Sequence, residues 1–505
     1  MTIRWAAAAA LIAVSVHVSS GQAPPRRADR QVVIVIDGLR PDYVTPDLMP
    51  RLHRLGQRGI VFSAHHSVYP TVTRLNASTF VTGAYPETHG LMGNTIYVPS
   101  VSPTRVLDTG ARENLESVGR AEGRLLTAPT LGEILQSAGK TLLAIGSGTT
   151  GATYLLNHTV ANGAVMHSEY TLPQALSPHV IERLGSVPPA ATPNRARHRR
   201  AVDAYLTLGL DEIRPDLTFI WLNDPDATAH AKGIGSAPAL ESLAVVDAEV
   251  GRIEDTLRSR GLLDRTNLIV ATDHGFSTHT GELKLSALVE PFARPMSDGS
   301  RDIVVAEGAI YFRGRADADR VGAVVAALQK RPEVGAIFTR PRGGGGAEGV
   351  VPGTLSFDVA RWNHARAGDI LVSANWSRAK NDAGYEGTTT LNGVAGHGAS
   401  SPYDVHNTLI AAGPDFREHA TIDVPTGNVD LAPTLLRLLG LQPAPSMTGR
   451  VIEEAMRDGP SPASVRVEHL KETVKSADGS YTLTAYISTA AGRRYLDYTE
   501  AVRPR

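Results

Sequence analysis

The stretch VVIVIDGLRPDY, residues 32 to 43, decides the fold, because an apolar β-branched run stops abruptly at Asp37. The run from Val32 to Ile36 contains no polar residue, which is typical of a strand buried on both faces in a parallel sheet. A carboxylate at the end of such a strand faces the crevice where parallel sheets bind ligands. Asp37 is therefore a candidate ligand; the alternative is an aspartate that caps a turn or helix before Gly38.

Two further apolar runs lead into carboxylates in the same way. DLTFIWL, residues 216 to 222, leads to Asp224 and Asp226, and NLIVAT, residues 267 to 272, ends at Asp273. The amphipathic pattern SLAVVDAEVGRIEDTLRSRGLL lies between these runs and predicts the helix that connects two parallel strands. The sequence therefore predicts an α/β fold whose core is a mostly parallel central sheet flanked by helices.

The pattern of predicted strands and helices changes from about residue 280 to 390. IVVAEGAIYF, DRVGAVVAALQKR and GAIFT mix strand and helix patterns and predict an α+β insertion, with PRGGGG as a flexible loop or hairpin. Core-like patterns return in NTLIAAG and VDLAPTLLRLLG, and YTLTAYIS with RRYLDYT predicts a terminal hairpin. We divide the chain into a signal peptide (1–23), the first part of a catalytic core (24–280), the insertion (281–390), the second part of the core (391–460) and a C-terminal β tail (461–505).

Composition excludes some classes of protein. Of the 505 residues, 42% are hydrophobic and 20% charged, as in soluble globular proteins. The formal net charge of -1 provides no electrostatic case for a dedicated nucleic-acid-binding protein. The chain has no cysteine, which excludes disulfides and thiolate metal sites.

The N-terminus has the layout of a secretory signal peptide. Arg4 precedes the apolar run from Trp5 to Val16, and the small and polar segment HVSSGQAPP follows, with cleavage expected near Ala23. The alternative is an uncleaved amphiphilic anchor. No later run approaches the roughly 20 apolar residues that a membrane helix needs. We expect an exported protein, periplasmic or secreted, with no transmembrane anchor in the mature chain.

Histidines accompany the strand-end carboxylates. DPDATAH places Asp226 and His230 four residues apart, so one helical turn brings both side chains to the same face. TDHG contains Asp273 and His274, and the glycine-rich segment GVAGHGASS presents His397. Each motif alone is commonplace as a surface pair, a helix cap or a solvated loop. Together with Asp37 they supply a set of carboxylates and imidazoles that suits two Zn²⁺ ions.

The candidate nucleophile is Thr73. Two metals about 4 Å apart stabilise the attacking and leaving oxygens of an in-line phosphoryl displacement. The segment TRLNASTFV predicts a helix over residues 73 to 81, and its N-terminus favours an incoming anionic phosphate. A metal lowers the pKa of the weakly nucleophilic Thr73 hydroxyl, and Asn94 offers amide donors to a non-bridging oxygen. The alternative role of Thr73 is that of an N-cap, which is compatible with catalysis.

These residues carry a family resemblance. VIDGLRPD, YPTVTRLNASTFVTGAYPETHGLMGN, DPDATAH, TDHG and GHG resemble, in that order, the alkaline phosphatase superfamily, and most closely its nucleotide pyrophosphatase/phosphodiesterase (type I phosphodiesterase) branch. The resemblance covers most of residues 31 to 440 and is specific, because all of the blocks follow the family's order. It implies an alkaline-phosphatase-like core and a zinc-dependent enzyme whose partner is a small-molecule phosphate ester substrate.

The resemblance also implies roles for individual residues. Two zinc ions would be bound, one by Asp226, His230 and His397, the other by Asp37, Thr73, Asp273 and His274. Thr73 would become the phosphorylated intermediate, and Asn94 would hold the phosphoryl oxygen. Water activated at the Asp226 site would then hydrolyse the phosphothreonine, with retention at phosphorus through two inversions.

The choice of substrate within the superfamily depends on two segments. Threonine-type monoesterases and phosphonoacetate hydrolases carry an extra lysine and a second basic residue after a strand ending in Ser, whereas GSGTTGATYLL, residues 146 to 156, has no cation. A monoanionic diester therefore fits better than a monoester. Nucleotide-cleaving relatives place an aromatic beside the nucleophile; this chain has Arg74, which predicts contact with an anionic substrate group.

Other readings of the motifs remain as alternatives. The first is a phosphomonoesterase of the alkaline phosphatase type, or a phosphonate hydrolase of the same superfamily. Sulfatases are disfavoured because SVYPTVTR lacks their C/S-x-P-x-R motif, and phosphoglycerate mutases because they use serine and this chain carries an export signal. The non-enzyme alternative is a metal-stabilised binding protein, against which the presence of Thr73 and Asn94 argues.

Overall fold

A computed structural model of the protein describes residues 28–160, 162–314 and 317–504. The expected signal peptide, residues 1–23, lies outside these ranges. Among the helices within them, none has both the length and the hydrophobicity of a membrane-spanning segment.

Strands and helices extend through the described ranges. The strands are β1 (Arg30–Ile36), β2 (Ile60–Phe62), β3 (His65–His66), β4 (Thr95–Ile96), β5 (Leu107–Asp108), β6 (Leu142–Gly146), β7 (Ala164–His167), β8 (Thr171–Leu172), β9 (Leu217–Leu222), β10 (Thr266–Ala271), β11 (Ser277–His279), β12 (Ile303–Ala306), β13 (Ala309–Phe312), β14 (Val334–Thr339), β15 (Leu355–Ser356), β16 (Ile370–Ala374), β17 (Trp376–Lys380), β18 (Glu386–Thr389), β19 (Ala395–Gly396), β20 (Leu409–Ala412), β21 (Ala420–Ile422), β22 (Thr426–Gly427), β23 (Val467–Lys475), β24 (Thr482–Ala490) and β25 (Arg493–Val502).

The α-helices are α1 (Pro50–Arg58), α2 (Thr73–Thr82), α3 (Pro86–His89), α4 (Arg112–Glu122), α5 (Leu131–Ser137), α6 (Thr150–Leu156), α7 (Ser177–Leu184), α8 (Arg195–Ala204), α9 (Asp226–Lys232), α10 (Ala237–Ser259), α11 (Leu285–Val289), α12 (Ala318–Gln329), α13 (Pro402–Val405) and α14 (Leu431–Leu438). A π-helix, Tyr205–Ile213, continues α8.

A nine-stranded sheet in the order β21-β2-β20-β10-β1-β9-β6-β7-β8 forms the centre of the molecule. Its middle strands, β10, β1, β9, β6 and β7, are parallel to one another. β20 is antiparallel to both of its neighbours, and β8 is antiparallel to β7. The predicted α/β fold with a mostly parallel central sheet is therefore confirmed.

The sheet separates two hydrophobic cores. On β1, Val33 and Val35 belong to one core, and Val32, Ile34 and Ile36 to the other. The first core includes apolar residues of α2, and the second those of α1 and α10. Helices on both faces thus explain why the run from Val32 to Ile36 in β1 has no polar residue.

Smaller sheets are attached to this centre. Residues of the predicted insertion form a five-stranded sheet, β12-β13-β16-β14-β15, whereas β17 and β18 pair instead with β11 and β19. The predicted terminal hairpin is β24–β25, and β23 adds a third strand that the sequence reading did not include. The division of the chain near residues 280, 390 and 460 stays a prediction.

Truncation of a buried side chain in β1 measures how much the packing of helices against the central sheet contributes to the free energy of unfolding. Ile34 is fully buried, so we expect Ile34→Ala to lower the free energy of unfolding by about 2–5 kcal/mol. The matched control is Ile181→Ala, since Ile181 is 53% exposed and its loss should change that free energy by less than about 0.5 kcal/mol. Urea unfolding followed by circular dichroism makes the comparison, and equal effects at the two positions would contradict it.

Candidate active site

The candidate ligands meet at the carboxyl edge of the central sheet. The register pairs Ile36 with Leu222 and Val35 with Ala271, so β1, β9 and β10 end side by side. Asp37 directly follows β1, and Asp273 lies two residues beyond β10. The chain after β9 turns into α9, whose first residue is Asp226, and the Asp226 N–H donates to the Asp37 carbonyl at 3.1 Å.

The first group of candidate ligands is Asp226, His230 and His397. Oδ2 of Asp226 lies 3.3 Å from Nε2 of each histidine. The Nδ1 atoms face backbone carbonyls at 2.8 Å, those of Ala395 and Thr71 respectively. A carbonyl only accepts, so each Nδ1 carries a proton, and in the neutral ring the lone pair is on Nε2, the atom that faces the carboxylate. Lone pairs that converge in this way suit a metal ion.

The second group, Asp37, Asp273 and His274, is more deeply buried. Nε2 of His274 lies 3.0 Å from Oδ2 of Asp273 and 3.6 Å from Oδ1 of Asp37, while its Nδ1 donates to the Gly275 carbonyl at 2.9 Å. The remaining carboxylate oxygens are held by the protein: Oδ1 of Asp273 accepts from the Gly38 N–H at 3.2 Å. The rings of His274 and His397 stack with their centroids 3.5 Å apart, so the two ligand groups are in direct contact.

The electrostatics of both groups favour cations. Oδ1 of Asp37, Oδ2 of Asp226 and Oδ2 of Asp273 are buried and, within the described chain, accept no hydrogen bond. Burial raises the pKa of Asp37 well above its ordinary value, and the charges of Asp273 and Asp226 raise it further. Burial also acts to raise the pKa of Asp226, but the imidazoles of His230 and His397 outweigh it and hold that pKa well below its ordinary value.

The donor set fits metal ions of the zinc type. Within each group, one ligand atom from each residue lies within 4.8 Å of the others. Imidazole and carboxylate are ligands that borderline-soft Zn²⁺ accepts. The side chain of His230 is 42% exposed, so the first group is open to solvent on one side.

Thr73 lies beside the second group as the first residue of α2. The N-cap of this helix is Val72 and no side chain caps it, so the alternative role of Thr73 as an N-cap is wrong. Its Oγ1 is 3.3 Å from Nε2 of His274, and its side chain is almost fully buried. The Arg74 N–H donates to Oδ1 of Asn94 at 2.9 Å, so the amide oxygen is occupied and Nδ2 is the group that can donate to a ligand. The structure therefore brings Thr73 and Asn94 together at the helix N-terminus.

The guanidinium of Arg74 contacts residues at the end of β5. Its Nη2 lies 3.6 Å from Oδ1 of Asp108, and its Nε donates to Oγ1 of Thr109 at 3.5 Å. Both contacts are long, and Asp108 is largely exposed, so the pair is a weak one. The charge of Arg74 also acts on the carboxylate of Glu307. Arg74 therefore retains donors for an anionic group.

Two residues of the site were missed by sequence reasoning. Nε1 of Trp221, near the end of β9, donates to Oδ2 of Asp37 at 2.9 Å and orients that carboxylate. A tryptophan near the carboxyl end of a buried strand is the sequence signal that was available. Glu307, in the turn between β12 and β13, has a left-handed backbone with φ of 54°. It exchanges two hydrogen bonds with Thr95, the residue after Asn94, at 2.8 and 2.9 Å, and no local pattern predicts this contact.

A cavity of about 470 Å³ adjoins the first group at His397 and Gly398. Its walls combine aliphatic residues, such as Leu285 and Val372, with polar ones, and they carry both a positive charge, from Lys284, and a negative charge, from Glu307. A cavity of this volume matches a small organic molecule rather than a polymer.

Comparison with solved structures places the fold in a class. The murine ectonucleotide pyrophosphatase/phosphodiesterase 5 matches with a TM-score of 0.60 and 19% sequence identity, over 85% of this chain and all of that chain. An inactive variant of the same enzyme in complex with AMP matches with a TM-score of 0.59. The molecule is thus an α/β protein with an alkaline-phosphatase-like fold.

The family follows from the sequence match. The family model described as type I phosphodiesterase/nucleotide pyrophosphatase matches residues 31–398, and the chain belongs to this family, as the resemblance of the motifs predicted. The family is metal-dependent, and the two groups of carboxylates and histidines provide possible metal ligands.

Curated relatives are similar over about half of this chain. A venom phosphodiesterase of Macrovipera lebetinus is 27% identical over 252 residues, which are 48% of this chain and 25% of that protein. The human ectonucleotide pyrophosphatase/phosphodiesterase family member 1 is 28% identical over 251 residues, 48% of this chain and 23% of that protein. The matched region thus spans about a quarter of the length of these relatives.

Proposed function

We propose that the protein is an exported, zinc-dependent phosphodiesterase or nucleotide pyrophosphatase that hydrolyses small phosphate diesters through a phosphothreonine at Thr73. The observation that carries this proposal is the position of Oγ1 of Thr73, at a helix N-terminus and 3.3 Å from Nε2 of His274, beside both groups of candidate ligands. Family membership and the names of the relatives support the same chemistry.

The metal roles are assigned to the two groups as the family resemblance implies. Asp226, His230 and His397 would hold one Zn²⁺, and the second would be held by Asp37, Asp273, His274 and the Thr73 oxygen. When bound, the ions supply positive charge that lowers the pKa of the threonine hydroxyl and stabilises the charge of the transferring phosphoryl group. The buried carboxylate oxygens that accept no hydrogen bond support this assignment.

In the first step, Thr73 loses its hydroxyl proton to solvent and its Oγ1 attacks phosphorus in line with the leaving oxygen. The bond from phosphorus to the leaving alcohol breaks, and the released alkoxide takes up a proton from water. The N-terminus of α2 faces the anionic phosphoryl group, and Nδ2 of Asn94 donates to a non-bridging oxygen. Asn94 is held in place for this role by the Arg74 N–H.

In the second step, water attacks the phosphothreonine from the face that the alcohol left. The bond between phosphorus and Oγ1 breaks, Thr73 regains its proton, and a phosphate monoester is released. Two in-line displacements give overall retention at phosphorus. Thr73 is regenerated unchanged, so the chain needs no other reactant.

A diester is the proposed substrate because the charges at the site suit one negative charge on phosphorus. The segment from Gly146 to Leu156 brings no cation that would pair with the second charge of a monoester. Arg74, with its weakly held guanidinium, is proposed to contact an anionic substrate group such as a second phosphate. The cavity beside His397 is proposed to take up an organic group of the substrate.

The decisive experiment compares turnover of bis(p-nitrophenyl) phosphate with that of p-nitrophenyl phosphate, both with zinc supplied. We expect kcat/KM to be at least about tenfold higher for the diester, a difference of about 1.4 kcal/mol in transition-state stabilisation. A tenfold preference for the monoester would overturn the assignment and favour the phosphomonoesterase alternative. No turnover of either ester by zinc-loaded protein would favour the metal-stabilised binding protein.

A further inference from the structure

A third group of potential metal ligands lies outside the candidate active site. His66, His406 and Asp497 each offer one ligand atom, and these atoms lie within 4.8 Å of one another. His66 belongs to β3, His406 follows α13, and Asp497 lies in β25. The three residues thus join the core to the C-terminal three-stranded sheet.

His66 is arranged like the histidines of the active site. Its Nδ1 donates to the Thr426 carbonyl at 2.8 Å, which directs Nε2 toward Oδ1 of Asp497 at 2.7 Å. His230, His274 and His397 show the same pattern, with Nδ1 on a backbone carbonyl and Nε2 facing a carboxylate. Metal-binding histidines are commonly oriented by such a bond on the other ring nitrogen. The imidazole of His66 is also buried, with a side chain only 3% exposed.

Asp497 is directed at His66 by an irregularity in its strand. The pairing of β24 with β25 passes from Tyr486–Tyr498 to Ile487–Leu496, which leaves Asp497 as the extra residue of a β-bulge. Bulges commonly redirect a side chain near a functional site. The second carboxylate oxygen, Oδ2, accepts from Oγ of Ser488 at 2.8 Å, so both oxygens are oriented.

His406 brings the second imidazole. It pairs with His66 through an isolated antiparallel bridge, and the two rings lie 4.7 Å apart. The ring of Tyr495 also stacks on that of His66, with the ring centroids 5.6 Å apart. The two histidines and the carboxylate therefore converge where β3 and the end of α13 meet β25.

We propose that His66, His406 and Asp497 bind a third metal ion, of the zinc type, which fastens the C-terminal sheet to the core. Two imidazoles and a carboxylate are a donor set that Zn²⁺ accepts. A tetrahedral ion with bonds of about 2.0–2.2 Å holds its ligand atoms about 3.3–3.5 Å apart, the spacing found around Asp226. The 2.7 Å contact of His66 with Asp497 would open by about half an ångström on binding.

The competing occupant of this position is a proton. Without a metal, a second proton on His66 would make an imidazolium–carboxylate pair with Asp497, a contact that suits the 2.7 Å separation. The site is linked to the candidate active site by one hydrogen bond, because Oγ of Ser67, next to His66, donates to the Asp273 carbonyl at 2.6 Å. With either a metal ion or a proton bound, the three residues connect the C-terminal sheet to Asp273, a candidate metal ligand of the active site.

The test is the zinc content of the full chain after removal of metal by a chelator, reconstitution with Zn²⁺ and desalting. We expect three zinc ions per wild-type chain and one fewer in both Asp497→Asn and His406→Gln. The matched control is His179→Gln, because His179 also contacts a carboxylate at 2.7 Å, that of Glu212, but on an exposed surface. This variant should keep the wild-type zinc content.

Equal zinc content in the wild type and in the folded variants would overturn the proposal and leave an ion pair of His66 with Asp497. Circular dichroism establishes folding, and His406→Gln provides the comparison if Asp497→Asn does not fold. The difference of one ion is independent of catalysis, since neither His406 nor Asp497 is assigned to phosphoryl transfer. The comparison of zinc content therefore remains valid even if the protein has no phosphodiesterase activity.

Discussion

Thr73→Ala is expected to lower kcat/KM for a phosphate diester by about 10³-fold or more, while the protein keeps its fold and its active-site zinc. The substitution removes the oxygen that forms the covalent intermediate, and loss of a nucleophile is among the largest single effects in enzymes. The carboxylates and imidazoles of the two ligand groups are untouched. Steady-state turnover of bis(p-nitrophenyl) phosphate, with zinc content measured on the same preparation, gives both readouts.

The matched control is Thr82→Ala, the same change at the other end of the same helix. Thr82 is buried and its hydroxyl donates to the Ser78 carbonyl at 2.7 Å, so its loss affects local stability alone. We expect this variant to retain wild-type kcat/KM. A Thr73→Ala protein that turns over as fast as Thr82→Ala would show that the Thr73 hydroxyl is not the nucleophile.

Asp37→Asn is expected to remove one zinc ion and to slow phosphoryl transfer by about 10³-fold. Oδ1 of Asp37 accepts no hydrogen bond within the described chain and faces Nε2 of His274 at 3.6 Å, where an amide is a far poorer metal ligand. Loss of one ion removes several kcal/mol of transition-state stabilisation, which corresponds to about this factor. Turnover and zinc content of the purified variant provide the check.

The melting temperature of the Asp37→Asn protein distinguishes a metal-binding role of Asp37 from a purely structural one. In the metal-free protein the substitution removes one of several crowded negative charges, those that raise the pKa of Asp37, so its melting temperature should equal or exceed that of the wild type. With zinc present the wild type should melt higher. Asp42→Asn is the control, since Asp42 is half exposed and pairs with Arg40, and it should keep its zinc. The side chain of Asp37 caps neither a turn nor a helix, because its hydrogen-bond partner is Nε1 of Trp221. A misfolded Asp37→Asn protein with unchanged zinc would therefore support a structural role through this contact instead of metal ligation.

The sequence predicted those features of the fold and the site that depend on residues close together in the chain. An apolar run without a polar residue predicts a strand buried on both faces, and parallel strands end at one edge of a sheet. Asp37 and Asp273 were therefore expected to approach each other before any contact was known. The spacing of Asp226 and His230 predicted a shared helical face, and α9 provides it.

The remaining contacts depend on residues that are distant in the chain. Trp221 and Asp37 are 184 positions apart, Glu307 and Thr95 are 212, and His66 and Asp497 are 431. No periodicity or spacing rule connects such pairs, because they meet only after the sheets have assembled. The antiparallel placement of β20 within the central sheet belongs to the same category.

The position of β1 in the central sheet has a consequence for folding kinetics. β1 is the first strand of the described chain, yet its two neighbours are β9 and β10, and Val32 pairs with Thr218 and Leu268. Contacts between such distant residues require large loops to close first, which slows folding. The active site, whose candidate ligands extend from Asp37 to His397, can therefore assemble only late, after most of the chain has been made and ordered.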